Sequence, residues 1–96
     1  MMQEVNRAKF PLGQVVATPG AMEALREANT DAVDFLRRHI RGDWGEVDDY
    51  DQQQNELSLR EGYRILSAYT LVTGVKLWVI TEADRSLTTI MLLGEE

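Results

Sequence analysis

Apolar residues along this chain follow two different spacings. Between Tyr63 and Leu93 they form three short, dense runs, YRILSAYTLV, VKLWVI and LTTIMLL, rich in β-branched and aromatic residues. Thr73-Gly74 lies between Leu71-Val72 and Val75 and predicts a tight hairpin turn. The polar stretch TEADRS (81–86) separates the second run from the third. Together these runs predict a three-stranded antiparallel meander.

Upstream, the spacing is helical. Thr18 can cap a helix, and Pro19 suits its first position. Ala21, Met22, Leu25 and Ala28 then share one face. Asn29-Thr30-Asp31 interrupts the pattern and starts it again. Ala32, Val33, Phe35, Leu36 and Ile40 form the apolar stripe of a second helix. Arg37, Arg38 and Arg41 sit near its C-terminal end, where cations are favoured, and Gly42 stands at the stop. A short strand is expected at Gln14–Ala17, limited by Pro11 and Gly13. A short helix over Asn55–Glu61 would lead into the meander, with Gly62 as the break. The predicted fold class is α+β: two N-terminal helices, or one broken helix, packed on a three- to four-stranded, mostly antiparallel sheet that ends in the meander.

The last two strands are apolar on both faces. Leu77 and Val79 oppose Trp78 and Ile80; Leu87, Met91 and Leu93 oppose Ile90 and Leu92. A sheet with one wet face alternates apolar with polar instead. Helices are expected over one face. The other would be covered either by the N-terminal segment around Phe10–Val16 or by a partner chain, including a homodimer.

Length and composition narrow the class. Ninety-six residues, 44% hydrophobic and 27% charged, suit a single domain over 1–96, with residues 1–9 expected to be mobile. Cysteine is absent, which removes disulfides, thiolate metal sites and cysteine nucleophiles. No N-terminal segment joins basic residues to an apolar core, and no apolar run reaches the roughly 20 residues of a membrane helix. A cytoplasmic location is expected.

Charge is concentrated in one place. Residues 41–62 carry two basic groups against seven acids, and so supply −5 of the net −6. Direct binding to a nucleic-acid backbone or to an anionic membrane is disfavoured, because both need clustered Lys and Arg. Within the segment GDWGEVDDYDQQQ, two aromatics stand among the acids. The candidate partner-binding set is Asp43, Trp44, Glu46, Asp48, Asp49, Tyr50 and Asp51: aromatics anchor contacts, and a charged rim steers a partner of opposite sign.

Catalytic and metal signatures are missing. Asp49 and Asp51 alternate as calcium ligands do, but no glycine or glutamate follows at EF-hand spacing, so no metal is expected. His39, the only histidine, falls at a helix C-terminus and is expected at the surface. Ser58, Ser67 and Ser86 sit in no nucleophile-elbow context. The glycines form no phosphate loop. No cofactor is expected, and the chain is not expected to be an enzyme. A small enzymatic or ligand-binding site near Glu82, Asp84 and Arg85, in the loop after a strand, is the alternative.

Three segments, TPGAMEAL (18–25), LRRHIRGDWGEVDDYDQQQN (36–55) and ILSAYTLVTGVKLWVITEADRSLTTIMLL (65–93), resemble a family of short bacterial proteins labelled hypothetical or plasmid-related, found on plasmids, integrative elements and phages. The resemblance spans Phe10 to Leu93. It implies an accessory factor of mobile DNA and carries over no catalytic residue. With the acidic segment, it suggests an inhibitor of the antirestriction or anti-CRISPR type. Such an inhibitor would bind a basic, nucleic-acid-binding host protein.

Overall fold

The computed structural model describes residues 7–95. Seven elements follow in order: β1 (Gln14–Ala17), α1 (Pro19–Glu27), α2 (Ala32–Ile40), α3 (Asp49–Glu61), β2 (Ile65–Thr70), β3 (Lys76–Thr81) and β4 (Leu87–Leu92). The class is α+β. The strands form one sheet in the order β1-β4-β3-β2.

Two expectations about the fold need correction. The sheet is mixed: β2, β3 and β4 form the antiparallel meander, but β1 pairs parallel to β4, from Gln14 against Leu87 to Ala17 against Ile90. The chain therefore begins its sheet before the helices and closes it with its last strand. The second correction is to the helix expected over Asn55–Glu61: α3 begins earlier, at Asp49, and takes in about half of the segment expected to be irregular.

Local chemistry explains the helices. The Thr18 hydroxyl accepts from the Ala21 N–H at 3.1 Å, and Pro19 follows it. Asp31 caps α2 by accepting from the Val33 N–H at 3.0 Å. Between them Asn29 adopts φ 52°, so the helical run is two helices, not one bent helix. Asp48 caps α3 through the Asp51 N–H at 2.8 Å. The first hairpin turns over Leu71–Gly74, closed by the Gly74 N–H to the Leu71 carbonyl at 2.8 Å. Gly74 sits at φ 94°, which only glycine adopts without strain.

Helices and sheet bury two contiguous clusters on one side of the sheet. One joins Ala21, Ala24, Leu25 and Ala28 to Tyr69, Leu71, Leu77, Val79 and Ile90, with Phe35 and Leu36 against it. The other joins Phe10, Trp44 and Ile65, with Leu12, Ile40, Val47 and Leu59 against it. Phe10 is thus on the helix side, not over the second face as one expectation had it. The outer-face residues Leu66, Ala68, Trp78, Ile80, Thr89 and Met91 belong to neither cluster. Expected mobility of residues 1–9 falls largely on 1–6, outside the described residues. Lys9 is tied down by its N–H to the Ile40 carbonyl at 2.7 Å.

Candidate functional site

The acidic segment is built as a cover for the edge of β2. Trp44 and Glu46 bracket Gly45, which bridges in parallel to Ala68. The Ala68 N–H donates to the Trp44 carbonyl at 3.0 Å, and the Glu46 N–H donates to the Ala68 carbonyl at 2.7 Å. Gly45 permits this approach: it lies at φ 74°, and a Cβ there would come within 2.0 Å of the Ala68 carbonyl oxygen. One residue pair back along the edge, the Asn55 side chain acts as a strand. Its amide donates to the Leu66 carbonyl at 2.7 Å and its oxygen accepts from the Leu66 N–H at 3.0 Å. The outward backbone groups of Ala68 and Leu66 on β2 are therefore satisfied, by a loop and by a helix side chain respectively.

This cover occupies several of the candidate partner-binding residues. Asp43 takes a two-pronged contact from Arg38, Nε at 2.8 Å and a terminal nitrogen at 3.3 Å, and accepts from the Gly45 N–H. Hydrogen bonding to Arg38 holds its carboxyl below the usual range, against a smaller opposing effect of burial. Glu46 accepts from the Thr70 hydroxyl at 2.7 Å and from Lys76 Nζ at 3.2 Å, and these lower its pKa in that order. Trp44, expected at the surface as an anchor, is 4% exposed. It stacks near Phe10, and its indole N–H donates to Glu56 at 3.1 Å.

What remains outward is the start of α3. Asp48, Asp49 and Tyr50 are exposed and Asp51 is partly so; Tyr50 is 67% exposed. Among the described residues no ion pair engages Asp48, Asp49 or Asp51. Along the same helix an open groove of about 390 Å³ is lined by Asp49, Gln52, Gln53, Glu56 and Arg60. Pattern reasoning missed this glutamine face, because α3 presents little apolar stripe: its buried positions are Asn55 and Ser58. The usable signal was Asp48 as an N-cap, with acids in the first turn behind it.

At the alternative site the charges do not converge. Arg85, at φ 61°, turns its guanidinium onto backbone carbonyls: Tyr63 at 2.7 Å, Ser58 at 2.9 Å, Glu82 and Ala83 at 3.2 Å each. It thereby ties the end of α3 to the β3–β4 loop. Asp84 accepts from the Ser86 hydroxyl and N–H, which lower its pKa. The hollow nearby, about 410 Å³, is lined by Glu82, Ala83, Asp84, Ser86 and Leu87, without Arg85.

His39 was expected at the surface and is instead 0% exposed. Its Nδ1 lies 2.6 Å from Ser67 Oγ and its Nε2 lies 3.0 Å from Thr81 Oγ1. Thr81 meets Thr88 at 2.7 Å, and Thr88 donates to the Leu12 carbonyl at 2.7 Å. A carbonyl only accepts, so the directions follow. Thr88 spends its proton on Leu12, Thr81 donates to Thr88, His39 Nε2–H donates to Thr81, and Ser67 donates to Nδ1. The imidazole is the neutral Nε2–H tautomer, and burial lowers its pKa to about 4. A serine at this distance from an imidazole resembles a nucleophile with its base, but Ser67 is also 0% exposed, so substrate has no access to the pair.

Among the described residues no cluster of three His, Cys, Asp or Glu could hold a metal ion, and no helix is long and apolar enough to cross a membrane. In comparisons with known proteins, no family model, curated protein or solved structure matches the chain.

Proposed function

We propose that the protein is a non-enzymatic binding factor, active in the cytoplasm, whose working surface is the N-terminal half of α3. Tyr50 is the aromatic anchor. Asp48, Asp49 and Asp51 form the charged rim, and the polar groove through Gln52, Gln53 and Glu56 extends the contact. The partner is a basic, nucleic-acid-binding protein, whose site for nucleic acid this surface would occupy. The resemblance to plasmid-related proteins of mobile elements supports the same role, an inhibitor of the antirestriction or anti-CRISPR type.

The observation that carries this reading is Tyr50, 67% exposed amid three carboxylates that no cation pairs among the described residues. Acids in the first turn of a helix are favourable in themselves, through the helix dipole. An exposed aromatic ring at that point has no such stabilising role. Tyrosine at the centre of a contact commonly accounts for about 2 kcal/mol or more of binding.

The test begins with affinity capture from the native host and identification of the partner. Against that partner, Tyr50→Ala should weaken binding by roughly 30-fold. The triple substitution Asp48→Asn, Asp49→Asn, Asp51→Asn should slow association and flatten its salt dependence. Asparagine at 48 keeps the cap, so folding is preserved. Unchanged capture by the triple variant would refute the proposal.

A further inference from the structure

The two edges of the sheet are treated differently. The β2 edge is covered by Gly45 and Asn55, as described above. Among the described residues nothing covers the β1 edge. Gln14 donates its N–H to the Ser86 carbonyl and Thr18 donates to the Ile90 carbonyl, both at 3.0 Å. In a parallel ladder these contacts turn Gln14, Val16 and Thr18 toward β4, so the N–H and C=O groups of Val15 and Ala17 point away from the sheet. Among the described residues neither pair finds a hydrogen-bond partner.

Strand edges are usually guarded by lysine, proline, a bulge or a covering segment. β1 reads Gln-Val-Val-Ala, with no charge and no proline within it, and Val15 and Val16 are 40% and 37% exposed. A free edge of this composition is a template for another strand.

We infer that β1 pairs antiparallel with β1 of a second copy of this chain, joining two four-stranded sheets into one. The register follows from which groups point outward. Val15 of each copy faces Ala17 of the other, and each pair exchanges both of its N–H···O=C bonds. Val16 then lies on the two-fold axis opposite its own equivalent, at the closer, non-hydrogen-bonded spacing. One contact satisfies both free edges, as a two-fold interface requires.

Charge favours a second copy as the occupant. The chain carries −6, yet the stretch supplying −5 of it lies along β2 and α3, at the opposite edge of the sheet. Two copies meeting at β1 bring neutral strands together and leave their acidic stretches at the two far ends. The inference is independent of what α3 binds.

The test uses the whole chain. Val15→Pro deletes one outward N–H and none of the hydrogen bonds of the fold, and proline is tolerated on edge strands. Sedimentation across micromolar to millimolar concentration should show a monomer–dimer equilibrium for the native chain. The same series should show monomer only for Val15→Pro, with an unchanged circular dichroism spectrum. A native chain that stays monomeric throughout, or a dimer that survives Val15→Pro, would overturn the inference. Should the variant fold poorly, amide exchange in the native chain decides. Val15 and Ala17 protons that grow more protected with concentration support the pairing. Protection that ignores concentration, or arises only when a different protein is added, refutes it.

Discussion

Protons in the His39 chain run one way, from Ser67 through the imidazole to Thr81, Thr88 and the Leu12 carbonyl. A second proton on the ring would put an N–H against the Ser67 hydroxyl, and no carboxylate is in contact to receive the charge. Burial therefore lowers the pKa to about 4 from the ordinary 6.5. In the window between these values the unfolded chain binds a proton that the folded chain refuses. Stability is full above about pH 6.5 and falls as the pH drops through the window, by about 3 kcal/mol at its lower end. Urea unfolding at a series of pH values should show this loss, and His39→Gln should remove most of the slope between pH 6.5 and 4. Paired acids such as Asp43 and Glu46, whose pKa values lie below the usual range, add their own loss at lower pH. Trp44 makes a related point. Its burial against Phe10, Ile65 and Glu56 means that Trp44→Ala should cost about 3–5 kcal/mol of stability by the same measurement.

Elements differ in how plainly they were written into the chain. The three meander strands were legible because dense apolar runs with polar breaks have few other uses, and the caps at Thr18 and Asp31 were legible as side-chain chemistry. The parallel pairing of β1 was not. It joins Gln14 to Leu87 through backbone groups alone, and no side-chain pattern announces a partner that distant. Of α3 only the Asn55–Glu61 half was legible, for a different reason. It lies at a sheet edge, where its task is to hold Asn55 against Leu66 rather than to bury an apolar stripe. For the same reason the acidic site was half legible: the charge was visible, but not that Asp43, Glu46 and Asp48 would hold ion pairs, an edge and a cap. Asn55→Ala should strand the part-buried N–H and C=O of Leu66, costing about 1–3 kcal/mol in thermal or urea unfolding. Asn55→Asp should do worse, since a carboxylate would face that carbonyl.

At the scale of the whole molecule, the acidic helix and the neutral strand stand at opposite limits of one sheet. If both act as proposed, a pair of chains offers its partner two α3 surfaces at once. Val15→Pro should then leave the affinity of a single site unchanged in solution, yet shorten retention on a densely coated partner surface by about tenfold or more, which surface-binding kinetics would resolve. The covered β2 edge has one more consequence, which concerns growth. A sheet with two open sides adds chains without limit and becomes a fibre. With Gly45 and Asn55 covering Ala68 and Leu66 on one side, a chain that pairs through β1 as inferred would use up its open strand edge in the first addition. Assembly by that route would terminate at two.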